Sequence, residues 1–470
     1  MRTILYASLI IINLFFISCS SPEEDIASGN TEGTRENDND EGPGNNSDFS
    51  YTIGTKPTDG KEVYIPNELQ SNDFGSDDSQ WCYQRCAWSK DIIVFWEKGF
   101  GSDPTTSIAE NMQVNIKDLL ESAENYYHYY RDTMKFVIKG QSMSDQYRMM
   151  IMLYYQEEWL ATGAGYDNVI GALWVNPATI HPVGQTIAHE IGHSFQYQVK
   201  CDGNYGFRDY NYVGTFWEQC AQYMSWQLYP DDLVRELPYY MQNVHKHFSH
   251  EEIRYQSFYL MEYWKAKHGK DFLGRLWREA IDPEDPLEAY MRITGISQEE
   301  FNDEIFEYAC RNITWNYPLG NHNRDYVNSL TETDQKQNKH HSTMIASGDY
   351  YEISPIMTPQ SYGYNAIQLK VPDKGTKIVA TFSGSDNTWS SVAGWRWGFV
   401  GVKHDWTPVY GEMQRTSRGS SSFIPDTGLS ELWLVVTGAP AQHIRHSWDD
   451  DDSNDENFPY KVKFTNTEPL

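Results

Sequence analysis

Basic residues are scarce in this 470-residue chain: 37 Lys and Arg stand against 66 Asp and Glu, a formal net charge of −29. That balance lacks the basic patch that holds a phosphate backbone, so no nucleic-acid partner is expected. Long apolar runs are missing beyond the N-terminus. The run there, Ile4 to Ile17, falls short of the roughly 20 residues a membrane-spanning helix needs. Cysteine is rare, six in all, and has none of the paired Cys/His company of a structural zinc finger. Internal repeats are absent. What is present is a hydrophobic fraction of 39%, enough for a sizeable core, in a length that leaves room for two or three domains. Aromatics reach 15%, with 16 Trp and 33 Tyr, a richness common in extracellular proteins that handle glycans or peptides.

The N-terminus reads as an export signal. Met1-Arg2 is basic, an apolar stretch follows, and Ser18-Cys19 closes it with small residues. Phe16-Ile17-Ser18-Cys19 resembles a bacterial lipobox, with Phe16 where Leu is more usual, and implies lipid on Cys19. The following Ser20-Ser21-Pro22-Glu23-Glu24-Asp25 looks like the acidic tag of lipoproteins sent to the outer face of the Bacteroidetes outer membrane. An ordinary secretory signal with a chance Cys is the plainer alternative. The expectation is a signal peptide over 1–19, an acidic disordered tether over 20–75, contact with the membrane through lipid only, and a monomer at the cell surface. The tether follows from composition: Gly, Asn, Asp, Glu and Ser offer too little to bury to offset the entropy of ordering.

Two folded parts are predicted. Over 76–330, strands are expected at Asp91–Trp96, Arg148–Tyr155 and Asn168–Val175, and helices at Ser107–Met134, from Pro182 onward, and through Gly214–Arg311. Gly269 is placed as a helix C-cap. Residues 318–348 are polar and turn-rich and mark a boundary. Over 345–470 the period changes to two, as in Ile367, Leu369, Val371 and in Ile378, Ala380, Phe382, which predicts an all-β sandwich. The fold class is therefore α+β.

The chemistry is carried by His189-Glu190-Ile191-Gly192-His193. On a helix, imidazoles four residues apart share one face and reach one metal. Glu190, beside the first of them, is placed to accept a proton from water attacking a carbonyl and to pass it to the leaving group. A catalytic zinc needs a third protein ligand and an open position. Gln196 and Val199 stand where a metzincin carries Gly and His, which excludes that branch. Thr215–Tyr223 reads instead as a second helix, on which Glu218 sits among Phe216, Trp217 and Ala221 as a carboxylate carried inward. Pairing of Glu218 with a base such as Arg208 is its alternative; Asp202 and Asp209 are weaker ligand candidates because they lie in a loop. Tyr255 and Tyr223 are candidate oxyanion stabilisers, with Arg254, His245 and His247 behind them.

His189-Glu190-Ile191-Gly192-His193-Ser194-Phe195-Gln196 with the later Glu218 resembles the gluzincin pattern of the zincin metallopeptidases, and is similar to the enhancin-like peptidases that attack mucins and other glycoproteins. The resemblance is sharp over about 40 residues. It implies a zincin-like domain with zinc held by His189, His193 and Glu218, Glu190 as base and acid, and an extracellular protein or glycoprotein substrate. The rest of the chain, including Leu434–Pro440, resembles a secreted Bacteroidetes family of unknown function, which implies no activity.

Several options stay open. Cys201 and Cys220 form a bridge worth about 3 kcal/mol or stay separate thiols; Cys82 and Cys86 are close enough in sequence to bridge locally. Trp389, Trp395, Trp397, Trp406 and Tyr410 either stack on sugars or fill the core of the β part. Asp449–Asp452 is a calcium loop or a solvated one. A surface lipoprotein that binds glycan or protein on a zincin scaffold without turnover is the competing reading, and hydrolysis of a non-peptide amide is a third.

Overall fold

Near-continuous apolar runs such as Ile92–Trp96 and Met149–Leu153 suit strands covered on both faces, and both are fully buried. The structure is a computed structural model that describes residues 49–106, 109–207, 214–330, 342–425, 428–449 and 451–470. The signal segment, Cys19, Arg208 and Asp209 lie outside the described residues. No helix among the described residues is long and apolar enough to cross a membrane.

A six-stranded sheet comprises β1 (Thr52–Ile53), β2 (Cys86–Trp88), β3 (Ile92–Trp96), β4 (Met149–Leu153), β5 (Ala161–Tyr166) and β6 (Ile170–Val175), in the order β1-β2-β3-β4-β6-β5. The β3/β4 and β4/β6 pairs are parallel and the others antiparallel. One face carries α1 (Ile116–His128) and α2 (Gln185–Cys201) on Ile92, Val94, Ile151 and Leu173. The other face, with Ile93, Phe95, Met150 and Met152, is covered by Phe74, Trp81 and the segment from Val63 to Leu69. Residues 49–75 therefore belong to the fold, which corrects the expected tether over 20–75: Thr52 and Ile53 pair with Trp88 and Ala87, and Phe74 fills an apolar gap. Helix α1 is shorter than the expected 107–134. Asn115 caps it by accepting from the Asp118 N–H, and Tyr129–Thr133 winds into a π turn.

Further helices follow as α3 (Gly214–Trp226), α4 (Pro230–Leu233), α5 (Leu237–Gln242), α6 (Tyr259–His268), α7 (Phe272–Glu279), α8 (Pro286–Thr294), α9 (Gln298–Asn312) and α10 (Gly320–Ser329). Gly269 ends α6 at φ 100°, where its N–H reaches the Lys265 carbonyl, as expected. Helix α10 falls inside the polar stretch read as a boundary. Its Val327 and Asn323 are buried, so few apolar side chains suffice there.

The C-terminal strands are β7 (Met344–Ser347), β8 (Tyr350–Ile353), β9 (Tyr364–Leu369), β10 (Ile378–Gly384), β11 (Trp395–Val402), β12 (Pro408–Tyr410), β13 (Arg418–Phe423), β14 (Glu431–Gly438) and β15 (Tyr460–Thr465). They form two antiparallel sheets, β13-β10-β15-β8-β7 and β12-β11-β14-β9. Phe382 and Tyr460 of one meet Trp397 and Leu434 of the other in a shared apolar cluster. The second face of the four-stranded sheet packs on α9, where Val400, Trp433 and Val435 join the helical core. Both faces of β11 are therefore buried, and its side chains read as one apolar run broken by Arg396. Arg396 is neutralised from α9 by Glu299 and Asp303, each at 2.6 Å. The fold is thus mixed α+β.

Candidate metal centre

Helix α2 is held in place from three sides. Ser194 Oγ donates to the Ala172 carbonyl of β6 at 2.9 Å, and Tyr130 Oη donates to the Ala188 carbonyl at 3.0 Å. Gly163 of β5 lies so close that a Cβ there would sit 2.1 Å from the Glu190 carbonyl oxygen and 2.7 Å from His193 Cβ. On its other side α2 meets α3 at Gly192, where a Cβ would be an ordinary 3.4 Å from Ala221. Close approach of these elements brings two turns of α2 and one of α3 to a single point.

At that point His189 Nε2 and His193 Nε2 each lie 3.2 Å from Glu218 Oε2. All three ligand atoms fall within 4.8 Å of one another. A tetrahedral zinc with bonds near 2.1 Å would separate its ligand atoms by about 3.4 Å. The protons also point the right way. Gln196 Nε2 donates to the Trp217 carbonyl, which turns Gln196 Oε1 toward His193 Nδ1 at 2.7 Å. Gln222 Oε1 accepts from Gln185 and faces His189 Nδ1 at 3.1 Å. Each Nδ1 therefore carries the proton, and each neutral ring aims the Nε2 lone pair at a carboxylate. Two lone pairs and an anion repel unless a cation lies between them, so this donor set fits a divalent metal.

The carboxylates around this point are tuned apart. Burial alone would raise Glu218; protonated His193 and His189 imidazoles outweigh it and hold the carboxyl well below the usual range, the attraction that a bound cation would supply between neutral rings. Glu190 is driven to about 7, first by burial and then by the Glu218 charge, against the opposing pull of His189 and the Gly163 N–H. A carboxylate poised near neutrality can both take and return a proton.

The remaining candidates separate clearly. The Tyr255 ring lies 6.4 Å from the His189 ring, beside the centre. Tyr223 is buried in the interior with its hydroxyl on Glu262 at 3.1 Å, a packing role. Asp202 accepts from the Met143 N–H and from Gln198 and caps the end of α2. Burial pushes His245 down to about 4, and His247 is buried against His446. Cys82, Cys86, Cys201, Cys220 and Cys310 are all free thiols; Cys220 accepts from Trp277 Nε1. In the β part Trp395 and Trp397 are core, while Tyr410 is 45% exposed. Asp451 caps a short turn at Ser453, and Asp450 lies outside the described residues.

Other groupings of His and carboxylate among the described residues fit a metal less well. Asp91, Glu124 and His128 already have Lys61 and Arg131 as cations. His250 Nδ1 accepts from the Glu252 N–H at 3.2 Å, and its Nε2, 3.4 Å from Asp455, already faces the Lys246 ammonium at 3.3 Å. A cavity of about 520 Å³ among Tyr51, Lys61, Trp88 and Arg148 shares no residue with the centre.

Three contributors to the centre escaped sequence reasoning. Strand β5 is the sheet edge beside α2, and the expected strand 168–175 is its inner neighbour β6. Ala-Thr-Gly-Ala-Gly-Tyr has little strand propensity, so β5 gave no signal. The proton-setting Gln196 and Gln222 are one turn beyond His193 and Glu218, a spacing that could have flagged them. Trp217 stacks on His193 at 5.1 Å and 10° and read only as a helix neighbour.

Residues 55–470 match the model of a family described as a family of unknown function (DUF6055), and the chain belongs to that family. No curated protein matches it.

Proposed function

We propose that this protein is a zinc-dependent metallopeptidase of zincin type, acting on extracellular proteins or glycoproteins. The observation that carries the reading is the convergence of His189 Nε2, His193 Nε2 and the Glu218 carboxylate, with the Glu190 carboxyl buried beside them. His189, His193 and Glu218 would hold the metal. Zinc, when bound, supplies Lewis acidity toward a carbonyl and toward water. Glu190 accepts the proton of the attacking water on its carboxylate and returns it to the leaving nitrogen. The Gly163 N–H steadies Glu190 between the two transfers. Because β5 pairs with β6 on one side only, its outer edge is available to an extended peptide by strand addition. Trp217 and Tyr255 flank the centre and exclude water from part of it. A place at the cell surface on a lipid tether fits the reading of residues 1–19 as an export signal that ends in a lipidated Cys19. The non-catalytic binding reading gains little, because Trp395 and Trp397, two of the residues it needs for stacking, are buried.

Zinc content of the purified chain tests the proposal. About one zinc per chain is expected, lost or sharply weakened in His189→Ala and Glu218→Ala, with peptide hydrolysis abolished in Glu190→Gln while zinc is retained. A chain that holds no zinc after reconstitution at neutral pH refutes it.

A further inference from the structure

Arg254 is half-buried and held from two sides. Its guanidinium carbon lies 5.1 Å over the Tyr255 ring and 5.5 Å over the Trp448 ring. Nη1 donates to the Glu251 carbonyl at 3.2 Å. Among the described residues no carboxylate pairs with Arg254, and its Nε and Nη2 make no hydrogen bond. Arg85, Arg131 and Arg396, by contrast, all meet a carboxylate. A guanidinium withdrawn from water favours an oxyanion partner, and its planar fork binds one bidentately.

The clamp leads directly to the metal centre. Tyr255, on one side of Arg254, lies beside His189. Trp448, on the other, covers Gly214, the first residue of the helix that carries Glu218; a Cβ at 214 would sit 2.5 Å from its ring. Trp448 is delivered by the C-terminal part, whose segment is fastened by His443 to Asp285 at 2.6 Å, Arg445 to Glu288 at 2.5 Å and His446 to Glu251 at 3.0 Å. A chain with a net charge of −29 repels anions at long range, so an anionic group reaches the centre only if a local cation receives it.

We propose that Arg254, clamped by Tyr255 and Trp448, is an anion subsite that takes a carboxylate or sulfate carried by the substrate beside the scissile bond. The word substrate rests on the metallopeptidase reading; the binding itself does not. Two chemical sources carry such a group, an acidic amino-acid side chain and an acidic sugar.

The test is equilibrium binding to the full-length zinc-loaded chain, followed by calorimetry. Acetyl-glutamate amide is compared with acetyl-glutamine amide, and galactose 6-sulfate with galactose. The anionic member of at least one pair is expected to bind about tenfold tighter or more, as for charge-assisted hydrogen bonds. Preference in the peptide pair identifies an acidic side chain, in the sugar pair an acidic sugar, and in both a general oxyanion site. Arg254→Gln removes the preference; Arg254→Lys keeps part of it, as a point charge without the fork. Trp448→Leu leaves the charge unclamped and gives an intermediate loss, which keeps the test available where Arg254→Gln does not fold. Equal binding of charged and neutral probes, or a preference that survives Arg254→Gln, overturns the subsite. A chain that prefers anions but holds no zinc refutes the metallopeptidase reading and leaves the subsite standing; zinc-dependent cleavage without charge preference does the reverse.

Discussion

Two glycines on opposite sides of α2 should respond to alanine with opposite signs. At Gly163 the added Cβ would meet backbone, the Glu190 carbonyl oxygen at 2.1 Å and its carbon at 2.8 Å. Neither atom can swing away, so β5 must move off the helix by about 1 Å to restore ordinary contact. Overpacking of this kind costs about 1–3 kcal/mol. The same movement draws the Gly163 N–H away from Glu190, so the damage extends to the centre. At Gly192 the new Cβ would rest at 3.4 Å from Ala221 Cα and from Met224 Sδ, which is normal packing. There the substitution removes the helical penalty of glycine and stabilises by up to about 1 kcal/mol. Urea unfolding midpoints of the two variants and the parent supply the assay, with zinc affinity measured beside them. Gly163→Ala should unfold earlier and Gly192→Ala no earlier than the parent. Equal midpoints for Gly163→Ala and parent would refute the close packing of β5 on α2.

Three further outcomes are expected. Gln196→Leu or Gln222→Leu removes the acceptor that fixes an Nδ1 proton, and zinc affinity measured by chelator competition should fall about 10–100-fold; an unchanged affinity would refute the tautomer argument. His128 is raised to about 9 from an ordinary 6.5, first by its hydrogen bond to Asp91 and then by that to Glu124. A raised imidazole stabilises fully below pH 6.5 and the gain is lost as pH climbs through 9. The shift is worth at most about 3.4 kcal/mol, and solvent screening of a side chain 37% exposed reduces that to about 1–2 kcal/mol. His128→Gln should therefore flatten the loss of stability between pH 7 and pH 10, and a parent-like slope would count against the Asp91 pairing. Arg396→Ala opens a gap between β11 and α9, while Glu299 stays in solvent and Asp303 keeps Arg415 at 3.0 Å. A cost of about 1–3 kcal/mol in thermal or urea unfolding, mainly from lost packing, is expected, and a neutral result would show that Arg396 does not tie the sheet to the helix.

The sequence by itself determined the elements whose signal is local. Four-residue spacing on a helix decides that His189 and His193 share a face, wherever the helix goes. Period-two runs and unbroken apolar runs decide strands such as β3, β4, β10 and β11, because burial of alternate or of all side chains is written in the residues themselves. Gly269 marks a helix end for the same reason: the left-handed backbone there favours glycine.

Tertiary structure alone decided what depends on approach between distant segments. Glu218 stood out as an inward carboxylate, but only the packing of α3 on α2 brings it to 3.2 Å from both imidazoles. Strand β5 carries Gly163 and Gly165 because α2 and β6 leave no room for a Cβ there, and it is a strand because β6 pairs with it along its length, not because its residues favour one. Residues 49–75 look like tether by composition, yet Phe74 and the Val63–Leu69 segment fill a sheet face that would otherwise lie open. The clamp on Arg254 joins residues nearly two hundred apart in the chain, which no local pattern encodes. Local rules fix which way a side chain points along its own element; where two elements meet is set by the sum of many weak contacts over the whole core, and that sum is not readable from any one segment.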